Sequence, residues 1–120
     1  MTPESRAVYL ICNFLKLKGF TFWINPSMGT FDQKRGRYLA HNNPYKIKGV
    51  PDILGILPGG RFLGIEVKKP KVVTPNGQVL QQVGRVSPEQ KAFIENAKAL
   101  GAKVFVASSI EEVKRELEIA

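Results

Sequence analysis

The sequence predicts a single α/β domain spanning residues 1–120, with a central mixed sheet flanked by helices. Three observations carry this. Two runs, Ile53 to Leu57 and Phe62 to Val67, are apolar on both faces, as strands covered on two sides are. Pro58, Gly59 and Gly60 separate them and signal a hairpin. Segments with helical spacing and helix-start residues bracket the hairpin in the order αβββαβ, with one more helix at the C-terminal end.

The first helix is expected over residues 3 to 18. Thr2 can cap it, Pro3 suits its first position and Gly19 can end it. Ala7, Val8, Ile11, Phe14 and Leu15 form its apolar stripe, and Glu4 lies on that stripe one turn before Ala7 and Val8. Phe20 to Asn25, rich in aromatic and β-branched residues, reads as a strand in which Trp23 is expected to pack into the core.

Residues 26 to 49 read as an irregular basic loop. Lys34, Arg35, Arg37, His41, Lys46 and Lys48 stand among Phe31, Tyr38 and Tyr45, a mixture suited to phosphates and unpaired bases or to a solvated connector. After the hairpin, residues 69 to 86 hold Lys69, Lys71, Arg85, three glutamines and the turn pair Asn76 and Gly77, which suits a projecting ribbon or loop. Ser87, Pro88, Glu89 and Gln90 open a second helix with a capping box, whose buried stripe is expected at Ala92, Phe93, Ala97 and Leu100. Lys103 to Ala107 reads as a strand. Ser109 with Glu112 starts the last helix, with Ile110, Val113 and Leu117 inward.

Composition narrows the function. Eighteen Lys and Arg against ten Asp and Glu give a net charge of +8, which favours a polyanionic partner, nucleic acid first. Only Cys12 and His41 could serve a thiolate or imidazole site, so a disulfide and a four-ligand Cys/His zinc cage are both out of reach. Cys12 reads as a small, largely buried helix residue. No apolar run reaches the ~18 residues of a membrane span, and the first residues carry no targeting pattern. The expected location is intracellular, the cytoplasm for a bacterial or phage-encoded chain.

The chemistry concentrates in one place. Of two aspartates, Asp52 immediately precedes an apolar strand, and Glu66 stands inside the next one between Ile65 and Val67. Unpaired carboxylates are costly there. If the hairpin turns through an odd number of residues centred on Gly59, Asp52 pairs directly with Glu66, and Lys68 shares their face. Two carboxylates beside an ammonium form a hard-metal site with a nearby cation. An even loop would instead separate them, leaving Asp52 as a turn residue and Glu66 with Lys68 as an ordinary ion pair.

Pro51 and Asp52, followed fourteen residues later by Glu66, Val67 and Lys68, resemble the PD-(D/E)XK nuclease superfamily. The runs Gly49-Val50-Pro51-Asp52, Gly64-Ile65-Glu66-Val67-Lys68 and Ser87-Pro88-Glu89-Gln90 resemble, within it, the VRR-NUC family of stand-alone, virus-type, Holliday-junction-resolvase-like nucleases. The resemblance implies a restriction-endonuclease-like core and a Mg²⁺- or Mn²⁺-dependent DNA endonuclease, selective for branched DNA such as junctions or flaps and acting as a homodimer. It implies Asp52, Glu66 and the Val67 carbonyl as metal ligands, and Lys68 as the group that positions or deprotonates the attacking water. The products would carry a 5′ phosphate and a 3′ hydroxyl.

Glu4 matches the first-helix acid, direct or water-mediated, though a carboxylate in a first helical turn also answers the helix dipole. Gln90 could contact water or phosphate, or only complete its capping box. Lys48, Lys69, Lys71 and Arg85 are candidate DNA contacts. One feature departs from the family: eighteen residues, 69 to 86, stand where a short turn is usual, as a clamp, a dimerisation element or a tolerated insertion. Two rival readings remain, a non-catalytic nucleic-acid-binding module on the same scaffold and a sequence-specific nicking or restriction-type nuclease.

Overall fold

The computed structural model describes residues 1–26, 30–32, 34, 36–39 and 44–120. The chain runs α1 (Pro3–Leu17), β1 (Thr21–Ile24), β2 (Thr30–Asp32), β3 (Arg37–Leu39), β4 (Ile53–Leu57), a short turn of 3-10 type (Pro58–Gly60) and β5 (Arg61–Val67). It continues through β6 (Val72–Val73), β7 (Val79–Gln81), α2 (Pro88–Ala99), β8 (Lys103–Ala107) and α3 (Ile110–Leu117). The central sheet has the order β1-β4-β5-β8. β1, β4 and β5 pair antiparallel, while β8 joins β5 in parallel through the α2 crossover, so the sheet is mixed as expected.

Local signals act as the sequence suggests at all three helix starts. The Ser5 N–H donates to Thr2 Oγ1, the Gln90 N–H to Ser87 Oγ, and the Glu112 N–H to Ser109 Oγ, each satisfying a donor with no partner inside its own helix. Each cap therefore sets where a helix begins and which face follows. α1 buries Ala7, Ile11, Phe14 and Leu15 against Ile53, Leu63, Ile65, Val67 and Phe105, and Val113 of α3 closes the same core.

The first long polar segment carries more order than expected, and the second takes the ribbon form its turn pair signals. Within residues 26–49, β2 and β3 form an antiparallel ribbon; Arg35 and His41 of the predicted basic loop lie outside the described residues. Within 69–86, β6 and β7 form a second ribbon whose turn contains Gly77 with φ +89°, the expected Asn76-Gly77 position. The Gly77 and Gln78 N–H groups donate to Thr74 and close that turn.

Three expectations change. Trp23 does not enter the core: it is 45% exposed, because β1 is an edge strand whose alternation turns Phe22 inward and Trp23 outward, and α2 packs over β8 at the opposite edge. The stripe of α2 is rotated. Ile94 is buried with Phe93, Ala97 and Gln90 beside it, while Ala92 is exposed and Leu100, at the C-cap, is 81% exposed. The 90, 93, 94, 97 spacing is the true inward face, and it brings a polar residue with it. Covering on two sides holds for β5 from Leu63 to Val67 but only partly for β4, where Ile56 is exposed.

Gly49 shows how tightly the segment before β4 is docked. Its φ is +83°, and a Cβ there would lie 2.3 Å from the Glu89 carbonyl oxygen and 2.7 Å from the Gln90 nitrogen. The approach ties the Pro51–Asp52 step to the start of α2. Gly49→Ala is therefore expected to destabilise the fold by ~3 kcal/mol or more, through both strain and overlap with backbone that has nowhere to go. Leu100→Ala should change stability by no more than about 0.5 kcal/mol. Urea unfolding followed by circular dichroism checks both.

Candidate active site

The hairpin register decides the site. Leu57 pairs with Arg61 and Ile53 with Ile65, a turn centred on Gly59, so the next pair outward is Asp52 with Glu66. Alternation then separates the faces of β5. Leu63, Ile65 and Val67 point into the core beneath α1 and α3, while Glu66 points to the α2 side. Lys68 continues past the strand with its N–H donating to the Ala107 carbonyl at 3.0 Å, and shares the Glu66 face.

Each acid is held by a different element. The Asp52 carbonyl accepts from the Asn25 N–H at 2.8 Å, which fastens the start of β4 to the end of β1. Its carboxylate Oδ2 accepts from the Val67 N–H at 2.9 Å. Because a residue's N–H and C=O leave a strand on the same edge, the Val67 carbonyl also faces the Asp52 edge. Glu66 is 2% exposed. Its Oε1 accepts from Gln90 Nε2 at 2.9 Å and lies 3.6 Å from Lys68 Nζ. Its Oε2 is buried and has no hydrogen-bond partner among the described residues.

Glu4 completes the set from the first turn of α1. Carboxylate oxygens of Glu4, Asp52 and Glu66 all lie within 4.8 Å of one another. That span is a little more than the ~4.2 Å across an octahedral Mg²⁺ shell, and oxygen donors are what such an ion takes. The three acids, the Val67 carbonyl and the orphaned Oε2 thus fit a hard divalent cation. An orphaned buried acceptor is costly in itself, and a cation at this point would satisfy it.

Gln90 serves two contacts at once. Its Oε1 accepts from the Ser87 N–H to complete the capping box, and its Nε2 donates to Glu66. The capping box expected of Gln90 is present, and the same side-chain amide also reaches Glu66, a contact the sequence did not suggest. Lys48, Lys69, Lys71 and Arg85 are all exposed. Lys48 precedes the docked Gly49, and Lys69 and Arg85 adjoin Lys68 and Gly84, which touch each other. Cys12, by contrast, is half-buried beside the core, and burial raises its thiol pKa, so it is placed as packing.

With this geometry described, comparison with known proteins gives a family. The VRR-NUC domain profile matches residues 15–111. The chain belongs to the VRR-NUC family. A solved structure titled "VRR_NUC domain" is 25% identical, with 98% of this chain and 97% of that chain covered and a TM-score of 0.58. No curated protein matches. VRR-NUC is a nuclease domain family, so DNA is the substrate such a domain implies. Asp52, Glu66, Lys68 and Gln90 all fall inside the matched span, whereas Glu4 lies before it and reaches the acids only through the packing of α1. Among the described residues no helix is long and apolar enough to cross a membrane.

The electrostatics of this VRR-NUC site yield a pH dependence. The Glu66 carboxyl is pushed up to about 8 from an ordinary 4.5, first by burial and then by the neighbouring Asp52 charge, with Lys68 pulling the other way. The folded metal-free protein thus holds a proton that the unfolded chain releases. Its contribution to stability is fully present below about 4.5 and is lost as pH rises through about 8. In EDTA, the thermal midpoint should fall across that window, and Glu66→Gln should flatten the fall. Mn²⁺ should raise the midpoint more at the alkaline end, where no proton competes with it.

Proposed function

We propose that this domain is a Mg²⁺- or Mn²⁺-dependent DNA endonuclease that hydrolyses phosphodiester bonds, prefers branched DNA such as junctions or flaps, and acts as a homodimer. The observation that carries the reading is the meeting of Glu4, Asp52 and Glu66, whose Oε2 is buried without a hydrogen-bond partner among the described residues, with Lys68 beside it. Residues 1–120 act as one nuclease domain in this reading. A surface this small reads little sequence, which favours selection of substrate shape by two spaced sites over recognition of a long site.

Asp52 and Glu66, with the Val67 carbonyl, would hold the ion, and Glu4 would complete the shell directly or through water. Bound there, the ion would lower the pKa of the attacking water and offset charge on the phosphate. Lys68 has three donors and no acceptor while protonated, so it can orient that water and, once neutral, take its proton. Gln90 keeps one Glu66 oxygen engaged and thereby aims the other. Lys48, Lys69, Lys71 and Arg85 would contact the DNA backbone as an exposed basic rim, which makes binding fall with added salt.

The test incubates labelled four-way junction, flap and linear duplex with the protein in Mg²⁺, Mn²⁺ or EDTA. Cleavage is expected on branched DNA, only with metal, leaving 5′ phosphates. Asp52→Ala should abolish it, and Lys68→Ala should slow it by roughly 10²–10⁴-fold, the range for a positioned proton-transfer group. Sedimentation should show a dimer. A folded protein that binds DNA yet cuts none of the three would make it a binding module, and cutting of linear duplex at fixed sites would make it a restriction-type enzyme.

Gln90→Ala separates the two contacts of that residue. Loss of the capping box should cost ~1 kcal/mol of stability, while loss of the Glu66 partner should weaken Mn²⁺ binding by roughly 10–100-fold in calorimetry.

A further inference from the structure

The inserted segment 69–86 folds back onto the site. Its two limbs pair as β6 and β7, and the return limb then runs alongside the chain that left β5. Gln81 Nε2 donates to the Pro70 carbonyl at 2.6 Å, and the Gly84 N–H donates to the Lys69 carbonyl at 3.1 Å. Gly84 lies against the Lys68 side chain. A Cβ on it would stand 3.3 Å from Lys68 Cβ, 3.3 Å from Lys68 Cδ and 3.3 Å from the Lys69 nitrogen.

We propose that the return limb, residues 81–86, is a wall that positions Lys68 for the reaction, with Gly84 as the positioning residue. The proposal rests on the nuclease reading for its consequence and on packing for its geometry. Lys68 has already left the sheet, where a lysine ordinarily reaches into water, yet it is 7% exposed. Its backbone is anchored to Ala107 on one side, and its stem meets Gly84 on another. A lysine side chain carries four rotatable bonds and loses substantial freedom when it must be aimed. Confining the stem before substrate arrives leaves the ammonium beside Glu66 and removes that cost from the transition state. A side chain at Gly84 would meet the Lys68 stem at 3.3 Å, tighter than an ordinary van der Waals contact, so even a small one would press on the lysine.

Two variants test this. Gly84→Val forces the Lys68 stem aside, and Gln81→Ala loosens the limb without added bulk, so it serves alone if the first does not fold. Reductive methylation followed by mass spectrometry reads the reactivity of Lys68 against Lys69 in the same molecule, without any need for cleavage. Lys68 should be methylated more slowly than Lys69 in the unmodified sequence and several-fold faster in each variant. Single-turnover cleavage in Mg²⁺ should fall by roughly 10-fold or more, while DNA affinity in Ca²⁺ and Mn²⁺ affinity stay within about twofold. Lys68 as reactive as Lys69 at the outset, variants that cut at the original rate, or a loss of Mn²⁺ affinity matching the loss of rate would each overturn it. If the parent protein cuts no DNA, the nuclease reading fails on its own, and the methylation pattern still decides whether the limb walls Lys68.

Discussion

The turn about Gly59 governs the rest. With Leu57 opposite Arg61, parity along two strands brings Asp52 opposite Glu66 and sends both away from the core layer formed by Ile53, Ile65 and Val67. One residue more or less in the turn would send one of these carboxylates to the other face of the sheet. The left-handed backbone at Gly59 and Gly60, with φ +82° and +78°, permits this three-residue connection. Everything chemical in the domain is downstream of that register.

Such a register works against stability. Glu66 sits at a depth where an ionised carboxylate is strongly disfavoured, and Asp52 lies close enough to add repulsion. The surrounding structure offsets this with directed partners. Gln90 donates to one Glu66 oxygen, Lys68 supplies positive charge, and Asp52 accepts from the Val67 N–H. One Glu66 oxygen has no hydrogen-bond partner among the described residues, an imbalance that a bound cation would relieve.

The three acids reach this point along different routes, which makes the site sensitive to the whole fold. Asp52 depends on β4 and its bond to Asn25, Glu66 on β5, and Glu4 on the N-terminal turn of α1. α2 contributes through its first turn, because Gly49 docks against Glu89 and Gln90 and so fixes where Gln90 can reach. The return limb of the ribbon between β5 and α2 lies against the Lys68 stem at Gly84. Residues 69–86 thus lie at the strand end that carries Lys68.

The sequence by itself determined what depends on near neighbours along the chain. Helix caps, the Asn76-Gly77 turn and the shared face of Glu66 and Lys68 follow from spacing, because periodicity and local hydrogen bonding act over a few residues, while Asp52 joined that face only through the observed turn about Gly59. The family motifs, too, lie in these short runs. Only the tertiary structure decided that Glu4 joins acids far away in the chain, that Gln90 serves cap and carboxylate together, and that Trp23 faces out from an edge strand. It alone placed Gly84 against Lys68. These outcomes turn on which surfaces are brought together by packing and on strand order, and no local pattern of residues encodes that.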